Sequence, residues 1–167
     1  MMCGVLAVVG STPGSHRVLQ AAVEVARAEN ARLTLMLPVA PPSWCVCFSP
    51  IPPAHVLAEV QRACCKVLRA LADECDQDVP LTTLMPVGRL DEAVLEELER
   101  RPHGLVVVEE SHRGRFLRRR DPVVRLARRC PVPLLTVPTE ATGVPRTVEL
   151  GRRPGRRVGV QLPLNPS

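Results

Sequence analysis

Five short apolar runs, each of strand length and separated by segments of helical periodicity, constrain this chain more than any other feature. The first, "CGVLAVVG" (residues 3–10), is continuous and rich in valine. A strand with one wet face alternates apolar and polar residues, so an unbroken run implies burial on both faces, as in a parallel sheet. "RLTLMLPV" is the second run, stopped near Pro38. "PLTTLMPVG", "GLVVVEE" and "VPLLTVP" are the third, fourth and fifth.

The intervening segments read as helices. Ser15 is placed to cap one that runs to about Glu29, with Val18, Ala22, Val25 and Ala26 on one face. From Ala54 to about Cys75 a stripe of Val56, Val60, Cys64, Val67, Leu68 and Leu71 repeats at helical spacing. Asp91 to Arg101 is a third helix with Leu90, Val94 and Leu98 inward, ended by Pro102 and Gly104. Asp121-Pro122 has the form of an N-cap followed by proline at the first helical position, opening a short helix that ends near Cys130. Residues 40–53, "APPSWCVCFSPIPP", carry too much proline for either element and form a long crossover loop.

Strands alternating with helices imply an α/β fold, a parallel sheet joined by right-handed crossovers and covered on both faces. The 167 residues form a single domain over 1–138, followed by a Pro/Arg-rich tail over 139–167. That tail is either disordered or adds an edge strand through "RTVELG" or "RVGVQL". Trp44, Phe48 and Phe116 are the only aromatics, so the core is built from Val, Leu and Ala. Their scarcity argues against base-stacking platforms, and nucleic acid is not an expected partner.

The net charge of +5 is unevenly spread. Residues 113–129 hold eight arginines, and the tail adds Arg146, Arg152, Arg153, Arg156 and Arg157, whereas the helix over 91–99 is acidic. Such a patch attracts anions or is simply a solvated face. The seven cysteines are odd in number and match no zinc spacing. With no basic stretch before the short apolar start and no run long enough to span a membrane, the expectation is a reducing cytoplasm and packed, free thiols. Cys45 and Cys47 are redox-sensitive only if exposed.

In parallel sheets of this kind ligands bind beyond the carboxyl ends of the strands. Three loops lie there: "GSTPGS" after the first strand, "VGRLDE" after the third and "EESHRGRF" after the fourth. The first lacks the lysine of a P-loop and the spacing of a dinucleotide fingerprint, and reads as a capped turn or a small anion nest. Ser111 and His112 are adjacent on a loop without a nucleophile elbow, so catalysis is not expected. His16, His55 and His103 fall at loop or helix edges and are expected to be solvated.

Several segments, taken in order, resemble the universal stress protein family. "VLAVVGSTPGSHRVLQAAVEVARAENARLTLMLPV" is similar to the family's opening strand, Gly-Ser turn, first helix and second strand. "VGRLDEAVLEEL" resembles its helix entry at Val87 and Gly88, and "RRCPVPLLTV" its closing block. The resemblance implies a Rossmann-like, adenine-nucleotide-hydrolase-like sheet of five parallel strands in the order 3-2-1-4-5. It also implies a role in stress survival and a homodimer through the last strand, Val132–Val137. One branch of the family binds ATP with Mg²⁺.

Carried over by position, the nucleotide contacts fall at Val9, Gly10, Ser11, Val39, Glu110, Ser111, Arg113, Gly114, Arg115 and Asp121. The family's aspartate falls near Val9 and is missing. The first glycine of its phosphate loop falls at Glu110, or at Glu109 in the other register, and the second falls at Arg113. The implied function is a non-enzymatic stress-response domain with a degenerate nucleotide site. One alternative is an ATP/ADP sensor in which Arg113 and Arg115 replace the glycine contacts. Another is an anionic-polymer binder that uses the arginine cluster.

Overall fold

The computed structural model describes residues 4–40, 53–75, 78–110, 121–138 and 146–148. Its elements, in chain order, are β1 (Val5–Val8), α1 (Ser15–Ala28), β2 (Leu33–Met36), α2 (Pro53–Asp73), β3 (Leu81–Leu84), α3 (Leu90–Arg100), β4 (Leu105–Glu109), α4 (Pro122–Arg129), β5 (Leu134–Val137) and β6 (Arg146–Val148).

The sheet runs β3-β2-β1-β4-β5-β6. The first five strands are parallel and stand in the 3-2-1-4-5 order, and β6 joins β5 antiparallel. β6 falls within "RTVELG", one of the two edge-strand candidates of the tail; "RVGVQL" lies outside the described residues. β1, β2, β4 and β5 are buried almost throughout, whereas β3 at the opposite edge shows Thr82 and Thr83 to solvent.

Strand alternation sorts the side chains into two cores. Val5, Ala7, Leu33, Leu35, Leu105, Val107 and Leu135 face α1 and α2, where Val18, Leu19, Ala22, Leu68 and Leu71 meet them. Leu6, Val8, Met36, Val106, Val108 and Leu134 face α3 and α4, against Val94, Leu126, Ala127 and Cys130. Continuous apolar strands are thus required by helices on both faces. Among the described residues the core holds no aromatic ring; Trp44, Phe48 and Phe116 lie outside them.

The helix ends show how local sequence sets the fold. Asn30 adopts φ +50°, while the Ala31 N–H donates to the Ala26 carbonyl at 2.8 Å and the Asn30 N–H to that of Arg27 at 3.1 Å. This is a left-handed C-terminal cap that closes α1 and turns the chain into β2. The Asp121 carboxylate accepts the Val123 N–H at 2.9 Å with Pro122 next in line, as the sequence predicts for α4. Gly88 sits at φ +151°, a conformation other residues rarely adopt, in the turn that leads into α3.

α3 and α4 join through charge as well as packing. The buried Asp91 carboxylate is 3.1 Å from Arg125 Nε and 3.5 Å from Arg89 Nε. Part of the basic cluster is therefore neutralised by the acidic helix beside it. Arg128 and Arg129 are exposed, and Arg113 to Arg120 lie outside the described residues.

Candidate functional site

The strand order reverses between β1 and β4, so the loop leaving β1 and the end of β4 share one crevice at the carboxyl edge of the sheet. Gly10 to Gly14 form the β1 side of it. Ser15 is the first residue of α1, and its hydroxyl does not cap the helix as the sequence suggested. Gly14 takes the cap position without a side-chain bond, and the Ser15 Oγ turns back to the loop. It donates to the Gly10 carbonyl at 2.7 Å and accepts the Gly10 N–H at 3.1 Å. Thr12 Oγ1 stands 3.3 Å from the same hydroxyl. The loop is stitched to itself, and the Gly10 N–H is not free for a ligand.

From the other side comes Glu109. Leu105 and Val107 of β4 face α1, and the period of two sends Glu109 to that same face at the end of the strand. Its carboxylate accepts the Thr12 hydroxyl proton and lies against the start of α1. A Cβ placed on Gly14 would collide with that carboxylate. Glycine at 14 therefore permits a close approach of the β4 acid to the helix backbone. A negative group at a helix N-terminus interacts favourably with the unpaired N–H groups and the helix dipole. That is the place where a phosphate binds in folds that use such a terminus. In this chain the Glu109 carboxylate lies close to that terminus, beside Gly14.

Glu110 is committed differently. Its N–H donates to the Val137 carbonyl at 2.7 Å, extending the β4–β5 ladder by one residue. A phosphate loop needs its backbone N–H groups turned to the ligand; this one is turned to β5.

Val9, Gly10 and Ser11 follow β1 and Glu110 follows β4, its neighbour in the sheet, at the same carboxyl edge. Val9 is 3% exposed and donates its N–H to Met36. Val39 is buried, and its backbone is bridged to Val87 and bonded to Gly88. Asp121 spends its carboxylate on the α4 cap. Ser111, Arg113, Gly114 and Arg115 lie outside the described residues, as does His112. Sequence reasoning missed Thr12, Gly14 and the part played by Glu109. The signal for Glu109 was present: it continues the 105-107 face.

Other candidate chemistry is accounted for. His16 is exposed and paired with Glu74 at 2.7 Å. His103, expected in solvent, is instead 4% exposed at its side chain, with Nε2 3.3 Å from the buried Glu97 carboxylate. A side chain on Gly4 would crowd its ring, which explains why so bulky a residue fits there. Cys64, Cys65, Cys75 and Cys130 are free thiols. Burial pushes the Cys130 thiol up, against a smaller opposing effect of the Val132 backbone, and pushes Cys75 up against the opposing charge of Arg27. Both are the reverse of an activated thiolate. Cys3, Cys45 and Cys47 lie outside the described residues. Among the described residues no group of three or more His, Cys, Asp or Glu is placed to hold a metal, and no helix is long and apolar enough to cross a membrane.

Comparison with known proteins agrees with this fold. A universal stress protein from Burkholderia pseudomallei superposes with a TM-score of 0.65 at 18% identity, over 80% of this chain and 94% of that one. A universal stress protein described in complex with cAMP gives 0.62 at 20% identity, over 83% and 99%. The universal stress protein UspA from Lactobacillus plantarum gives 0.60 at 16%, over 81% and 97%. No curated protein matches by sequence. The model of the universal stress protein family matches residues 4–138, and the chain belongs to that family.

Proposed function

We propose that this chain is a non-enzymatic, regulatory universal stress protein domain of the cytoplasm whose nucleotide cradle is closed. It acts through protein contacts, which include pairing of copies through Val132–Val137. The observation that carries the reading is the Glu109 carboxylate seated on the Gly14 end of α1 and held by Thr12. A phosphate brought within ~5 Å of it would meet a repulsion on the order of 3 kcal/mol per unit charge at an effective dielectric of ~20, before salt screening. That is about two decades of affinity. The Gly10 and Glu110 N–H groups, already bonded within the protein, offer nothing to offset it.

The test is calorimetric titration of nucleotide-free protein with ATP and Mg²⁺. The expected result is no binding at millimolar ATP. Saturable binding at cellular ATP levels would overturn the reading in favour of an ATP/ADP sensor that grips phosphate with Arg113 and Arg115. Affinity would then fall in the Arg113→Ala and Arg115→Ala variants. The cAMP carried by one structural neighbour makes that nucleotide the second titrant; a single phosphate charge meets the same carboxylate, and the same outcome is expected.

A further inference from the structure

β5 is the last of the parallel strands, and its outer edge is taken by β6. The pairing can be followed group by group. The Pro133 carbonyl accepts from Val106 at 3.1 Å, and the Val137 carbonyl accepts from Glu110 at 2.7 Å, so both point to β4. Alternation along the strand then turns the N–H and C=O groups of Leu134 and Thr136 outward. The β6 register sets those two residues opposite Val148 and Arg146, the positions that exchange both bonds in an antiparallel ladder. Thr147 stands opposite Leu135 and turns its own N–H away from β5.

We infer that β6 is an internal cap on β5, and that the strand it excludes is the β5 of a second copy. An uncapped β5 would present a row of unpaired backbone groups beside the buried residues Leu134, Leu135, Thr136 and Val137. A twofold axis necessarily brings two identical edge strands together antiparallel, which is the polarity β6 already has. Centred on Leu135, such a pair sets Leu134 of each copy opposite Thr136 of the other and satisfies the same four outward groups per copy. Pairing within the chain and pairing between copies are therefore alternatives for one edge.

The tether decides between them. Residues 138–145 connect β5 to β6, and a strand held by so short a connection competes at an effective concentration on the order of millimolar. Copies at micromolar concentration then remain single while β6 is seated. The inference rests on the proposed pairing through Val132–Val137 and adds the element that controls it.

Two neighbouring proline substitutions in the full chain test it by sedimentation velocity over a concentration series. V148P removes an N–H that β5 uses, whereas T147P removes one that points away. At micromolar concentration the wild type and T147P are expected to stay single, and V148P to pair with a midpoint roughly a hundredfold below theirs. If V148P does not fold by circular dichroism, Arg146→Pro removes the other N–H and takes its place. A wild type that pairs with the same midpoint as V148P overturns the cap but leaves pairing through β5 standing. Proteins that all stay single to about 1 mM overturn both. Equal pairing by T147P and V148P overturns the group-by-group assignment on which the cap rests.

Discussion

Replacing Glu109 by glutamine keeps the size and shape of the side chain and removes its charge. Thr12 can still donate to the amide oxygen, but a hydrogen bond to a neutral acceptor is about half as strong as one to a carboxylate. The favourable interaction with the α1 N-terminus, roughly 0.3–1 kcal/mol, is lost as well. The contact is exposed, so the expected destabilisation is at most about 1 kcal/mol. For a domain of this length that lowers the melting temperature by roughly 3 °C. Binding should move the other way. Removing the carboxylate removes a repulsion of about 3 kcal/mol at ~5 Å, which salt and solvent reduce to about 1–2 kcal/mol. ATP affinity should therefore rise roughly five- to thirtyfold. Thermal melting and calorimetry on the same E109Q preparation measure both effects. The reasoning stands on the two moving in opposite directions. A variant as stable as the wild type, with no gain in ATP affinity, would show that the carboxylate neither supports the helix nor bars the phosphate.

Other perturbations probe the surroundings. Gly14→Ala has a compatible backbone, φ −70° and ψ −15°, but its methyl displaces the Glu109 carboxylate. It should cost about 1 kcal/mol in the wild type and close to nothing in a Glu109→Ala background, a non-additivity that a double-mutant cycle of denaturation midpoints reads directly. Asp91→Ala leaves Arg125 without its buried partner. Loss of such a partner costs about 3–5 kcal/mol when the pair is fully buried, and about 2 kcal/mol is expected here because Arg125 is 33% exposed. Urea denaturation checks the value. Leu126→Ala opens a cavity under a fully buried side chain of α4 and should cost about 2–5 kcal/mol in the same assay. For the thiols, the folded state holds the Cys75 and Cys130 protons more tightly than the unfolded chain, whose ordinary value is 9.0. Stability should be level in this respect below pH 9 and fall as the pH rises above it, because there the unfolded state binds fewer protons. Alkylation at pH 8 mapped by mass spectrometry should label Cys65 ahead of Cys130.

The parts of this fold that were legible in the sequence are those fixed by local rules. An unbroken run such as "VLAVV" has few other destinations than a strand covered on both faces. Asp121-Pro122 carries both the cap and the residue that tolerates a missing N–H. What escaped depends on residues far apart in the chain. Whether Ser15 caps α1 or ties down Gly10 is decided by the path of the loop, and both uses satisfy the same hydroxyl. His103 looks solvated beside Pro102 and Gly104. Its burial needs the gap left by Gly4 and the carboxylate of Glu97, neither visible from its neighbours. The family resemblance leaves two registers, with the altered glycine at Glu110 or at Glu109, whereas the alternation of β4 puts 109 on the α1 face. The pleat chooses between the two registers by sending Glu109 to the α1 face.

On the proposed reading, Glu109 and β6 close two places where this sheet would meet other molecules. One is the crevice at the switch in strand order, the other the free edge of the last parallel strand. Neither closure is deep. Glu109 is held at an exposed contact worth at most about 1 kcal/mol. The strand β6 contributes three residues and backbone bonds of roughly 1 kcal/mol each. Both are small beside the two cores that hold the five parallel strands. The fold therefore does not depend on either closure, and losing one should change what the domain binds without unfolding it. The perturbations that separate the two act at different ends of the chain. E109Q opens the crevice and leaves the β5 edge covered, whereas V148P uncovers the edge and leaves the carboxylate on α1. If each variant gains only its own partner, nucleotide for the first and a second copy for the second, the two closures are independent. A V148P protein that also gained ATP would instead mean that β5 pairing and the β4 end move together, through the β4–β5 ladder that ends in the bond from the Glu110 N–H to the Val137 carbonyl.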